Sequence, residues 1–392
     1  MKVGLHLIAL AVIAVLTLTL ILKVRRDPQC GVDEPGWLRS GGVTYQLVIQ
    51  RASAAQWETA YAEDGDFDNR NPPIGKLIIG VMLAAKGIHH PNYRWHWPLS
   101  YEENVALGTL PPIDVLRFVR YGISVLGAAT LVLTYCIAWR LTRSAWAIAA
   151  PVYVFNLPVF QFLATRVYTD IIEVTMMLAG GLALLIYVDQ PRRPAALAVA
   201  AVAVGLACAT KFSAAPLAIA LVIVVVRLTR FRVWPMTIAV VVPLLVFVLV
   251  NPYLYRAPVT RTRALITAWS ELIHRQQERS PGFAVPSRAT ALKLVSSRTV
   301  FPQLYATPLF VRLTLSTILL IGVYHLSSPW LIVVLVQTAA TVLWLPFDWQ
   351  PYYFPTLAVL APAFAPGCLR VQRAIYRVSE AQYRRAHTAS SC

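Results

Sequence analysis

Long apolar runs separated by short polar links dominate the chain. They fall at about 3–22, 113–138, 145–164, 168–188, 195–210, 212–228, 234–254, 304–326, 329–346 and 352–369. Each comes close to the ~20 apolar residues that carry a helix across a bilayer. Backbone in lipid must satisfy its own polar groups, which a helix does internally. The pattern therefore predicts an all-α integral membrane protein with about ten transmembrane helices. Lys211 and Pro216 interrupt the run 195–228, which is read as two spans. A further apolar stretch, Ile74 to Ile88, is short and contains Lys76 and Lys86. It is either an eleventh, short span or a helix lying in the interface. Residues 3–22 carry Lys2 before them and Lys23, Arg25 and Arg26 after. No small-residue cleavage site follows, so an uncleaved first span is expected.

Basic residues orient the bundle. The links after 138, 188 and 228 hold Arg140 and Arg143, Arg192 and Arg193, then Arg227, Arg230 and Arg232. The tail adds Arg370, Arg373, Arg377, Arg384 and Arg385. With 195–228 as two spans, all four segments share one side, and positive residues favour the cytoplasm. The turn at 165–170, the region of Lys211, segment 255–303 and the loop 347–353 then lie outside. Loop 23–73 joins them only if 74–89 does not cross fully. Against this, Lys23, Arg25 and Arg26 favour the reverse orientation of the first span. The organisation expected is one transmembrane domain, 1–370, with outer loops 23–112 and 255–303 and juxtamembrane helices in the first. A basic cytoplasmic tail, 371–392, follows. Within 255–303, Leu265, Ile266, Trp269, Leu272 and Ile273 recur at helical spacing between arginines, as in a helix resting on a membrane surface.

Composition agrees with this pattern and narrows the classes of function. Hydrophobic residues make up 57% of the 392 and charged residues 14%, against about 25% charged in soluble domains. A soluble enzyme and a disordered chain are excluded. The net charge of +17, from 35 basic and 18 acidic residues, follows from arginine-rich cytoplasmic links. No aromatic-basic module points to nucleic acid. Cys30, Cys136, Cys208, Cys368 and Cys392 show neither zinc spacing nor a disulfide framework.

Candidate chemistry gathers on the outer side. Loop 23–73 holds eight of the 18 carboxylates: Asp27, Asp33, Glu34, Glu58, Glu63, Asp64, Asp66 and Asp68. Asp33 and Glu34 are adjacent, so one could be held by backbone donors while the other acts as a general base. A solvated loop explains the same dipeptide. Lys211 sits between apolar stretches, where a charge is costly and commonly functional. A lipid phosphate would satisfy its ammonium, and a lysine snorkelling to the headgroups is the simpler alternative.

The ordered segments DEPGW, NPPIGK, TRVYTD, GLACATKFSA, NPYLYRAP and FDWQPYYFP resemble those of the GT-C glycosyltransferases. The likeness is greatest to the protein O-mannosyltransferase and aminoarabinose-transferase (ArnT-like) branch, and covers roughly residues 30 to 365. The resemblance implies a GT-C helical bundle. It also implies transfer of a sugar from a polyprenyl-phosphate-linked donor to an acceptor outside the cytoplasmic membrane, with inversion. It assigns the base to Asp33, paired with Glu34. Lys211 would face the lipid phosphate, assisted by Arg256, Lys76 and Arg166. Asn71, Asp170, Gln350 and Tyr352 would form the lip of the site. Asn71 stands where the family has His or Lys, and Gln350-Pro351 stand where it often has an Arg before paired tyrosines. Arg256 and Arg166 are the cations available to compensate. No cofactor is firmly implied, and a divalent metal stays open. The expected partners are the lipid-linked donor, the acceptor and the bilayer. Two other readings remain from the sequence: a transporter or flippase of lipid-linked sugars, although no internal repeat is visible, and an inactive family member acting as a subunit.

Overall fold

The computed structural model describes residues 2–63, 71–300 and 308–389. Asp64, Asp66, Asp68, Cys392, the start of the expected span at 304 and the side chains of Glu63, Arg384 and Arg385 lie outside the described residues. In chain order the helices are α1 (Lys2–Arg26), α2 (Glu34–Ile49), α3 (Ala54–Glu63), α4 (Pro73–Ala85), α5 (Tyr101–Ala106) and α6 (Ile113–Thr142). They continue with α7 (Ala149–Phe155), α8 (Pro158–Ala164), α9 (Asp170–Asp189), α10 (Pro194–Cys208), α11 (Ala215–Thr229) and α12 (Val233–Leu249). The last are α13 (Pro258–Arg279), α14 (Arg288–Thr299), α15 (Leu309–Tyr324), α16 (Ser328–Trp344), α17 (Gln350–Leu360) and α18 (Phe364–Ala389). No strand forms among the described residues. The protein is an all-helical, multi-pass membrane protein.

Among the described residues, five helical stretches are long and apolar enough to cross a bilayer: Val3–Arg26, Ile113–Thr142, Asp170–Asp189, Phe212–Thr229 and Gln350–Tyr383. The expected span 145–164 is not one straight helix. It breaks between α7 and α8 with a bend of 74°, just before Leu157-Pro158, where proline disfavours a helical residue ahead of it. Gln161 repairs the break. Its Nε2 donates to the freed Phe155 carbonyl at 2.7 Å, and its Oε1 accepts from Lys23. The outer Lys23 that argued for a reversed first span is thus bound to the bundle. The helices α10, α12, α15 and α16 have 15, 17, 16 and 17 residues. At about 1.5 Å per residue they fall short of the ~30 Å hydrocarbon core. α18 runs on from the last span into the basic stretch expected as the tail.

Both ends of the short stretch at 74–89 are tied to the same end of the bundle. At one end of α4 the Ile74 amide donates to Ala209 O at 3.0 Å, beside Lys211. At the other, Lys86 pairs with Asp114 at the start of α6, 3.3 Å away. Both contacts lie at the end of the bundle that carries the carboxylates. α4 packs closely on α2 because Gly41 and Gly80 face each other, and a Cβ on Gly80 would overlap the Gly41 carbonyl. Small residues let helix backbones approach in this way. The opposite end collects the arginine links, where Arg140 bonds Asp189 at 2.6 Å and Trp146 donates to Gln372 at 2.6 Å.

The polar helix α13 docks through Leu265 onto Trp57 of α3 and Leu254, a small apolar cluster apart from the main core. Arg261 reinforces it by bonding Glu58 and the Tyr253 carbonyl at 2.5 Å. The two loops thus meet over the carboxylate end of the bundle.

Candidate active site

Asp33 stands at the N-terminal boundary of α2. Its carbonyl accepts the first helical bond from Trp37, but its side chain caps nothing in its own helix. The carboxylate turns instead to the hydroxyl of Tyr168, which donates to Oδ2 at 3.2 Å. Burial pushes the Asp33 carboxyl above the usual range. The charges of Asp170 and Glu34 add to that shift, and Tyr168 and Lys211 oppose it. Tyr168 is itself pushed upward, first by burial and then by the neighbouring carboxylates, so it remains a neutral donor.

Glu34 has the opposite surroundings. It is fully buried and accepts from the backbone amides of Gly31 at 2.6 Å and Val167 at 2.8 Å. Arg120 grips both oxygens at 2.8 and 2.5 Å, and Arg166 approaches at 3.4 Å. Arg120 also binds the carbonyls of Asp27 and Gln29, and Arg166 pairs with Asp27 at 2.6 Å. A buried ion pair persists when its remaining lone pairs and protons are satisfied, and here they are. Glu34 and Arg166 are engaged in clamping the linker 27–34 to α6 and to the turn before α9.

Asp170 is the first residue of α9, a position where the helix dipole favours a carboxylate. Lys211 lies in extended backbone between α10 and α11 and donates from Nζ to Asp170 Oδ1 at 2.7 Å. The turn NPPIGK seats on the same place. A Cβ on Gly75 would stand 2.7 Å from Thr169 Cγ2 and 3.0 Å from Thr210 Cγ2, so only glycine permits this approach. The next residue, Lys76, is fully buried. Tyr352 lies within electrostatic reach of Lys211, Asp170 and Asp33 and stacks with Phe347 and Trp349. Asp33, Tyr168, Asp170, Lys211 and Tyr352 therefore form one cluster drawn from four separate stretches of sequence.

Other expected members stand apart. Arg256 is exposed and has no ion-pair partner among the described residues. Asn71 is half-buried at the start of the NPPIGK turn, and Gln350 is exposed. Gln350 borders a cavity of about 40 Å³ shared with Arg298, Tyr353 and Leu157. Arg298 escaped the sequence reading. It binds Asp348 through two bonds of 3.1 and 2.6 Å, and Tyr353 donates to the same carboxylate at 2.8 Å. Arg298 lowers the Asp348 carboxyl below its usual range. The only signal for the pair was complementary charge across 50 residues. Glu173 and Tyr168 were missed for a different reason, since an isolated glutamate in a span and a tyrosine in a turn carry no spacing. Among the described residues, no three His, Cys, Asp or Glu side chains come together as metal ligands, and the four described cysteines are free.

No protein-family model matches the chain, and no curated protein does. Solved structures do. ArnT from Cupriavidus metallidurans bound to undecaprenyl phosphate superposes with a TM-score of 0.55 at 15% identity, over 93% of this chain and 59% of that one. The archaeal oligosaccharyltransferase AglB from Archaeoglobus fulgidus, in complex with an inhibitory peptide and a dolichol-phosphate, gives a TM-score of 0.53 at 12% identity. That match covers 96% of this chain and 52% of AglB. The chain spans between half and three-fifths of the length of these two proteins. The similarity is one of architecture, and the chain has the fold of the GT-C membrane glycosyltransferases.

Proposed function

We propose that the protein is a membrane glycosyltransferase that takes a sugar from a polyprenyl-phosphate-linked donor and passes it to an acceptor on the extracytoplasmic side. The observation that carries this reading is the convergence of a buried carboxylate, Asp33, with the Lys211–Asp170 pair at one end of the bundle. The fold in which they converge is one whose solved examples hold undecaprenyl phosphate and dolichol-phosphate. The positive-inside bias supports placing that end outside the cytoplasm.

The acceptor hydroxyl gives its proton to Asp33 as its oxygen bonds the anomeric carbon. The bond from that carbon to the phosphate oxygen breaks, and the lipid phosphate leaves with the electron pair. Lys211 stabilises the charge that develops there. Attack opposite the leaving group inverts the anomeric centre. A raised carboxyl makes Asp33 a better base than a solvated aspartate, provided it is ionised. Glu34, with five donors already on it, has no such capacity. Asp170 holds Lys211 charged and in place until the phosphate arrives.

Mass spectrometry of envelope glycans, glycolipids and glycoproteins from cells with and without the protein tests the activity. The account expects one sugar modification to vanish and its lipid-linked donor to accumulate. Unchanged glycans and unchanged donor would refute it.

A further inference from the structure

One helical turn beyond Asp170, α9 carries a second buried acid. Glu173 is fully buried, and its Oε1 accepts from Ser213 Oγ at 2.7 Å. Its Oε2 has no hydrogen-bond partner among the described residues. Residues three apart share a helix face, and Lys211 and Ser213 follow each other closely in the break between α10 and α11. Asp170–Lys211 and Glu173–Ser213 are therefore two rungs of one ladder between α9 and that break. Gln337 of α16 braces it from behind, its Nε2 donating to Ser213 O at 3.2 Å.

A buried carboxylate oxygen without a donor is costly, so a donor belongs at Oε2. Lys211 is within electrostatic reach of Glu173. Its ammonium carries three N–H donors, and among the described residues its one hydrogen bond is to Asp170. A serine bond alone does not require an acid at 173, because the oxygen of a glutamine would accept it equally.

We propose that Glu173 is a positioning residue for Lys211. When an anionic group enters, the ammonium settles between Asp170 and Glu173 Oε2, and its third N–H points at the anion. Ser213 fixes the rotamer of Glu173 so that Oε2 faces the lysine. This rests on the reading of Lys211 as the cation for the leaving lipid phosphate.

The test uses full-length protein reconstituted in liposomes, with Glu173→Gln, Glu173→Asp and Ser213→Ala, each in the wild-type and Lys211→Met backgrounds. Turnover is followed as polyprenyl phosphate released from a polyprenyl-phosphate sugar. Glu173→Gln should lower kcat by about 10²-fold, the scale of a misaimed catalytic group, with little change in KM. Glu173→Asp should recover part of the loss, and Ser213→Ala should cost less than Glu173→Gln. In the Lys211→Met background Glu173→Gln should add nothing, because interacting residues are not additive. An equal loss in both backgrounds, or full activity of Glu173→Gln, overturns the proposal. The same cycle measured by thermal unfolding of ligand-free protein keeps the two readings apart. If the wild type turns over no donor, the transferase reading fails. Coupling between positions 173 and 211 in unfolding then upholds the positioning contact, and its absence overturns that contact too.

Discussion

Lys211 and Asp170, 41 residues apart in sequence, form an ion pair of 2.7 Å at the mouth of the break between α10 and α11. The lysine that interrupts an apolar run therefore has a carboxylate partner and does not snorkel alone. An anionic ligand must share Lys211 with Asp170, which links binding at this position to the geometry of α9.

Lys211→Met keeps side-chain length and removes the charge. Donor turnover should fall severely, with weakened donor binding and the fold retained. Lys211→Arg should retain part of the activity, since charge persists while geometry changes. Equal turnover by the wild type and Lys211→Met, with the same donor, would remove Lys211 from the mechanism.

The surroundings of Asp33 predict a pH effect with a definite sign. Its carboxyl titrates above the ordinary aspartate range because of burial. The base must be ionised, so kcat/KM should rise with pH through that raised value and not through the usual carboxylate range. The Tyr168 hydroxyl stabilises the anion. Tyr168→Phe should therefore shift the acid limb to still higher pH. A limb that stays fixed in the variant would contradict the assignment.

Stability should show the same linkage. A carboxylate raised in the folded state contributes stability at low pH that is lost as pH rises through the folded value. Asp33→Asn removes that loss, so the variant should unfold at a higher temperature than the wild type at neutral pH. The gap should narrow in acid. Differential scanning fluorimetry across pH measures it directly.

Glu34 should behave differently. Arg120→Met leaves a fully buried carboxylate without its main counter-charge. Breaking such a pair costs about 3–5 kcal/mol. Thermal unfolding and yield of folded protein should both drop, whereas Asp33→Asn leaves yield intact. Normal stability of Arg120→Met would show that Glu34 is not the clamp described.

Sidedness is tested by single cysteines. Those placed at positions 60, 270 and 349 should react with a membrane-impermeant thiol reagent in intact cells, and those at 142, 192 and 229 should not. Labelling at 142 together with 60 would mean that 74–89 crosses after all.

Much of the fold was legible because apolar runs and arginine links are one-dimensional signals. The bend at Leu157-Pro158 was not, since hydropathy is blind to direction, and neither was the early end of α12, which stops at Leu249 ahead of Asn251. For the site, Asp33, Asp170 and Lys211 were singled out from ordered segments. Their meeting, and the division of labour between Asp33 and Glu34, depends on donors from Arg120, Val167 and Tyr168, all more than 80 positions away from the pair. Arg256 was chosen as a cation within a quoted segment, and the structure leaves it exposed with no ion-pair partner among the described residues, while Arg298, on a helix with no distinguishing pattern, reaches Asp348.

The most direct test of the account is release of polyprenyl phosphate from a polyprenyl-phosphate sugar by reconstituted wild type and Asp33→Asn, with acceptor present. The account predicts acceptor-dependent release by the wild type and a loss of about 10²–10⁴-fold in the variant, the scale of a removed general base. Comparable release by both proteins would contradict it.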